Sequence, residues 1–312
     1  MLGMFSRVMP VMVLFALGYL IRQKNWLSIE GMGGVKKVVI NFALPAVLFK
    51  AFLTMDFKYE YIGLSLSIVI LLFLMYLAGK AFNLIKGLRH LLNPYISTAF
   101  SFGLLGIPMF SIVFGEENLG IFSVLGLGNE IFVWFIFYTI LHMHLNDEKF
   151  SFKHLAGFFK SPVIIAIFIG LFFNLTGMTS VFTTNALLNG IYRSVSYMAN
   201  VATPLILLSI GYSMDINKKY MAPTLRLMFV RFVVTFGIGY AFKFLVIDNL
   251  FEVTPIMNYA YMTFLMLPPL FSLPLFVGIA RTNEDEEIAS NAVVSYTAFS
   301  LVMFILVAIV FL

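Results

Sequence analysis

The stretches Ile62–Leu77 and Phe299–Leu312 hold no charged residue and are apolar on every side. A helix that buries one stripe keeps a polar face, so segments like these belong to a very large core or to a bilayer. Composition decides between the two. Of 312 residues, 61% are hydrophobic and 11% charged, against about 25% charged in a soluble domain, which leaves too little polar surface to cover a soluble fold. A transmembrane barrel would alternate apolar and polar residues over segments of about ten, and these stretches do not alternate. The expected fold class is an all-α polytopic membrane protein.

A helix crosses a bilayer in about 20 residues. Hydropathy and its breakers place ten spans, near 4–22, 34–55, 61–85, 94–114, 119–145, 161–178, 187–214, 222–247, 255–280 and 288–312. The longest polar connector, Asn146 to Lys160, is too short to fold alone, so function is expected within the membrane part. The first apolar run has the length of a signal peptide. It lacks a small-residue cleavage site and leads into further spans, so it reads as span 1. With no cysteine in the chain, disulfides, thiolate catalysis and thiolate metal sites are excluded.

The net charge of +5 is spread over connectors, not gathered on one basic face, so topology explains it better than a nucleic-acid partner. Arg22, Lys24, Lys36, Lys37, Lys80, Lys86, Arg89, Lys149, Lys153, Lys160, Lys218, Lys219, Arg226 and Arg281 fall on one side. Arg7, Lys50, Lys58, Arg193 and Lys243 fall on the other. Positive charge marks the cytoplasmic side. Both termini are therefore expected outside the cytoplasm, in a plasma membrane.

The chain also repeats itself. At an offset of 159, Gly31 meets Gly190, Asn41 meets Asn200, Pro45 meets Pro204 and Asp56 meets Asp215. At an offset of 161, Pro94 meets Pro255, Pro108 meets Pro269 and Ser111 meets Ser272. Pro10 and Gly18 share one spacing with Pro162 and Gly170. The repeat boundary divides the chain into residues 1–150 and 151–312. Five spans is an odd number, so the second copy must enter the membrane inverted, the pattern of secondary transporters with a substrate site near the midplane.

Two spans carry matching interruptions. Gly106 and Pro108 break span 4; Pro268 and Pro269, followed by Pro274, break span 9. Proline removes an amide donor and clashes with the carbonyl four residues back. Such backbone is tolerated at membrane depth only where protein or a wet cavity satisfies it, and the half-helix N-termini it creates suit an anion. Structural kinks are the plain alternative.

The runs Val8-Met9-Pro10 to Gly18-Tyr19-Leu20, Leu27-Ser28 and Phe42-Ala43-Leu44-Pro45 resemble the opening of the auxin efflux carrier family. Ser101 to Pro108, Phe114-Gly115-Glu116 and Leu267-Pro268 resemble that family's paired crossing helices, and the likeness runs the whole length. The resemblance implies a scaffold of helices 1, 2, 6 and 7 and a mobile transport domain of helices 3–5 and 8–10. Substrate would bind where broken helices 4 and 9 cross, near Ser101, Gly106, Pro108, Pro268, Pro269 and Ser272, and the transport domain would move as an elevator. It also leans towards a homodimer. One departure is Ser101, where the family often carries Asn; a hydroxyl supplies one donor and an amide two.

Five other polar positions stand out. Asn129 and Glu130 lie well inside span 5, where an ionisable group is costly and is by default a functional candidate. They could carry a coupling proton or sodium ion, or Glu130 could simply pair with a neighbour. Arg231 in span 8 could neutralise a substrate carboxylate or snorkel to the membrane edge. Asn41 and Asn200 could line the pathway or cap carbonyls freed by Pro45 and Pro204. His142 and His144 face different sides of a helix, so a shared metal is not expected. The acidic run Glu284 to Glu287 reads as a solvated turn. No hydrolytic or phosphate-cradling motif occurs, and neither an enzyme nor a cofactor is expected. The expected function is secondary transport of a small organic anion, auxin-like monocarboxylate or malate-like dicarboxylate; a membrane-embedded ligand sensor is the alternative.

Overall fold

The computed structural model describes residues 2–55, 57–146, 160–214, 217–280 and 283–311. Lys149, Lys153, Arg281 and the Asp56/Asp215 pair lie outside the described residues, as does the side chain of His142. The described residues are helical and contain no strand. Among the described residues, six helices are long and apolar enough to cross a membrane, or seven if the bent pair Pro162–Leu175 and Met178–Thr184 counts as one span. The chain is a multi-pass membrane protein.

In chain order, α1 is Leu2–Gln23, α2 Ile29–Thr54, α3 Glu60–Leu84, α4 Asn93–Ile96, α5 Phe102–Phe114 and α6 Leu119–Ile131. Without a break, α6 continues through a wide turn at Phe132–Phe137 into α7, Tyr138–Asn146. The second half holds α8, Pro162–Leu175; α9, Ala186–Tyr212; α10, Met221–Phe242; α11, Pro255–Met266; α12, Leu273–Ala280; and α13, Asn283–Phe311. Pro45 shapes α2: the turn ahead of it, Val39–Ala43, widens to a π turn, which accommodates a residue that cannot donate and that crowds the carbonyl four back.

Helix α1 packs along α9, and α2 along both α8 and α9. Two of these packings repeat each other. A Cβ on Gly18 would lie 2.1 Å from the Leu208 carbonyl oxygen and 2.9 Å from the Tyr212 nitrogen; one on Gly170 would lie 2.8 Å from the Phe49 oxygen and 3.2 Å from the Leu53 nitrogen. Leu208 and Tyr212 are the offset-159 partners of Phe49 and Leu53. Only glycine allows backbones so close. One turn further on the same correspondence returns: Arg22 Nη1 donates to the Tyr212 carbonyl at 3.4 Å, and Asn174 Nδ2 to the Leu53 carbonyl at 2.9 Å.

The remaining helices pack among themselves, α3 against α6 and α10, and both α10 and α12 against α13. Their interior is aromatic, with Tyr95, Phe100, Phe110, Phe122, Phe132 and Phe264 fully buried. On α3, Ile62, Leu66 and Ile70 are more than half exposed at helical spacing, the lipid-facing stripe of a span with no polar side. The acidic run is not a turn. Glu284, Asp285 and Glu286 form the first turn of α13, where carboxylates suit the positive end of the helix dipole.

Candidate functional site

Chain direction fails at two places. After α4 the backbone leaves helix through Ser97–Ser101, with Ala99 at φ +54°, and resumes at α5. After α11 it runs extended through Leu267 and the buried prolines Pro268 and Pro269 until α12. The interruptions are hydrogen-bonded to each other. The Ser101 amide donates to the Pro268 carbonyl at 3.0 Å, and its hydroxyl donates to the Pro269 carbonyl at 2.6 Å while accepting from the Phe271 amide at 3.0 Å. Ser101 thus satisfies backbone that proline leaves unpaired, a job within reach of one hydroxyl. Gly106 holds the two breaks close, since a Cβ there would lie 2.8 Å from the Leu267 side chain and 3.0 Å from Phe122.

Arg231 of α10 lies between the breaks and is fully buried. Its Nη1 donates to the Ile96 carbonyl, with Thr98 and Ala99 carbonyls at 3.5 Å, and its Nη2 donates to the Leu267 carbonyl at 2.7 Å. The guanidinium also stacks over Phe100 and Tyr296, at 4.7 and 4.9 Å from the ring centres. It therefore occupies the C-terminal ends of α4 and α11 together, where carbonyls and the helix dipole favour a cation. It neither snorkels nor points at a free space for substrate. Asn129 does comparable work from α6: its Oδ1 accepts from the Phe100 amide at 2.9 Å and its Nδ2 donates to the Phe100 carbonyl at 3.1 Å. That pair of bonds holds the backbone beside the left-handed Ala99, which is costly for a residue with a Cβ. Ser300 completes the set by donating to the Met266 carbonyl.

Glu130 is half-buried, accepts from Trp134 Nε1 at 3.2 Å and has no cation within ion-pairing distance among the described residues. Asn129 Nδ2 is 3.5 Å from its other oxygen. Asn41 and Asn200 are both exposed, and Asn41 donates to the Lys37 carbonyl of its own helix at 2.8 Å. They are therefore not gathered with the interrupted segments. Gly106 and Pro108 do not break their span: both lie inside α5, where the turn ahead of Pro108 widens to a π turn, and the break falls earlier, at Ser97–Ser101. His144 accepts from or donates to Tyr95, 2.6 Å away, and among the described residues no cluster of three potential metal ligands exists.

With the C-terminal ends of the half-helices taken by Arg231, their N-terminal ends look into a cavity of about 500 Å³. Leu104 from α5 and Phe271, Ser272 and Pro274 ahead of and in α12 line one side. Lys36 and Ile40 of α2, Ser209 and Ser213 around the end of α9, and Glu286 and Ser290 of α13 line the others. Lys36 donates to the Ser213 hydroxyl at 2.7 Å. The charge count groups Lys36 with the connector cations although span 34–55 contains it, and in the structure it belongs to α2. Ser209, Ser213, Glu286 and Ser290 carry no sequence motif.

Against known proteins, a family model described as membrane transport protein matches residues 4–308. Among curated proteins, an uncharacterized transporter of Methanothermobacter thermautotrophicus is 26% identical over 225 residues, which are 69% of each chain.

Proposed function

The chain belongs to the membrane transport protein family, and on that premise we propose that it is a secondary transporter of a small organic anion, with substrate bound in the 500 Å³ cavity beside the two interrupted helices. The observation that carries the reading is the place of the cavity at the breaks: one buried arginine holds the carbonyl ends, while residues at the starts of α5 and α12, the ends where an anion is favoured, line the cavity. The paired contacts of Gly18 and Gly170, and of Arg22 and Asn174, support a ten-helix inverted repeat. The packing of α1, α2, α8 and α9 mainly on one another, with lesser contacts to α5, α6 and α13, supports a scaffold on which the rest moves as an elevator. Glu130, a carboxyl with no cation in ion-pairing distance among the described residues, is the group we assign to proton or sodium coupling.

In proteoliposomes, labelled mono- and dicarboxylates should exchange saturably against unlabelled anion. Saturable binding without flux would instead mark a sensor. Pro269→Ala, which gives the backbone a donor and lets the helix close, should weaken binding at least about tenfold while sparing the amount of folded protein; equal losses of both would reduce Pro269 to a kink.

The positive charge gathered on one set of connectors supports an orientation in the plasma membrane with both termini outside. In a chain without cysteine, a cysteine at Asn118 should react with an impermeant reagent on intact cells and one at Lys86 only after permeabilisation. The reverse pattern would overturn the orientation.

A further inference from the structure

The cavity that the proposed function uses is uneven in charge. Among its lining residues one is cationic, Lys36, and one is anionic, Glu286; the other polar groups are serine hydroxyls and the rest is apolar, with Ile40 and Phe271 among it. Lys36 spends one donor on Ser213, whose own hydroxyl is turned to the Ser209 carbonyl at 2.8 Å. An ammonium has three donors, and no carboxylate of the described residues lies within ion-pairing distance of this one. Arg22 stands at the same end of α9, where its Nη1 donates to the Tyr212 carbonyl at 3.4 Å, so the rim there is positive. Glu286 stands on another wall, from α13.

We propose that Lys36 and Glu286 select the substrate by charge number: Lys36 holds one carboxylate, and Glu286 rejects a second, so that the cavity takes an amphipathic monocarboxylate in preference to a dicarboxylate of similar size. This rests on the reading of the cavity as the transport site. A monocarboxylate places its anion on Lys36 and its apolar body against Ile40 and Phe271, with no charge left over. A dicarboxylate of the same bulk must bring its second anion into a cavity that offers no second lysine and one carboxylate. Like charges brought together without solvent are disfavoured, and discrimination of this kind arises from the repulsive element as much as from the attractive one. Both residues also have a simpler use, Lys36 near the carbonyl end of α9 and Glu286 at the amide end of α13. That use predicts changes in stability but none in selectivity.

The test measures the affinities of 3-phenylpropionate and phenylsuccinate for the purified full chain in lipid nanodiscs, for the parent and four variants. The parent should bind 3-phenylpropionate about tenfold or more tighter than phenylsuccinate. Glu286→Gln should narrow that ratio about tenfold by strengthening phenylsuccinate alone. Lys36→Gln should weaken 3-phenylpropionate about tenfold or more, and Lys36→Arg should restore it. Equal affinities in the parent, binding of neither probe, an unchanged ratio in Glu286→Gln, or parent-like binding by Lys36→Gln would each overturn the proposal. If Lys36→Gln does not fold, the Glu286→Gln ratio decides alone. Leu104→Trp, which fills the cavity, separates the two levels: parent-like binding by it sinks the cavity as the site, whereas its loss of binding beside indifferent charge variants sinks only the charge pair.

Discussion

Arg231→Met should abolish transport and destabilise the folded protein by on the order of 2–6 kcal/mol. The argument starts from where the guanidinium sits. It is fully buried, and its two terminal nitrogens bond the carbonyls of Ile96 and Leu267, one from each interruption. Methionine fills much of the volume but donates nothing. Each carbonyl left unpaired in a dry interior costs about 1–3 kcal/mol, and both stand at helix C-termini, where partial negative charge accumulates. Removing a buried cation also removes its desolvation cost, and replacement of buried ion pairs by apolar side chains is sometimes neutral. That compensation is weak here. The partners are backbone carbonyls that cannot be mutated away with the arginine, so their unmet acceptors remain. Arg231→Lys keeps the charge but not the fork, and one ammonium cannot reach two carbonyls on separate segments with the same geometry. It should fold with intermediate stability and transport poorly. Thermal unfolding with and without lipid, alongside exchange in proteoliposomes, reads both effects. Parent-like stability in Arg231→Met would mean that the breaks hold each other without it.

The same residue shows where the sequence stops speaking. Prolines announce the second break, because a missing amide and a ring clash are local properties of Pro268 and Pro269, whereas the first break, Ser97–Ser101, holds no proline and Pro108 lies within α5. The bonds that make the breaks one unit join Arg231 to carbonyls 135 and 36 residues away, and a carbonyl leaves no trace in a sequence, since every residue has one. Arg231 is therefore visible as an oddity in an apolar span and invisible as a clamp. Asn129 behaves likewise, as its partner is the backbone of Phe100. Lys36 fails for another reason. Charge counting groups Lys36 with the connector cations although span 34–55 contains it, and it cannot see that α2 turns this side chain towards Ser213. Asn41 and Asn200 match by register, which fixes helix position but not surroundings: both are exposed, and Asn41 lines a cavity between α2, α8 and α9 rather than the one at the breaks. Register is most informative where backbone meets backbone: Gly18 and Gly170 repeat one contact because no other residue fits so close an approach.

Glu130→Gln should leave folding and substrate binding near the parent's while removing uphill transport. The carboxyl lies on α6 one residue after Asn129, which grips the first interruption through Phe100. Any change at Glu130 is thus one peptide away from the unit that frames the cavity. Its bonded partner is the Trp134 indole, 3.2 Å from Oε2, and a glutamine carbonyl accepts that N–H equally well. The substitution therefore preserves shape and the main hydrogen bond, and a structural role would survive it with a change of stability below about 1 kcal/mol. What glutamine cannot do is bind and release a proton, or offer a full negative charge to a sodium ion. If anion movement is linked to either gradient through this side chain, accumulation driven by a pH or sodium gradient should fall to the level set by equilibration, at least about tenfold below the parent. Exchange of labelled for unlabelled anion across equal solutions needs no net proton or sodium movement and should partly survive. Glu130→Asp, shorter but still ionisable, should recover part of the gradient-driven uptake. The two assays together separate the outcomes. Loss of exchange along with accumulation means damage to the cavity frame through Asn129, while parent-like accumulation by the Gln variant makes Glu130 a hydrogen-bonding partner of Trp134 and moves the coupling group elsewhere.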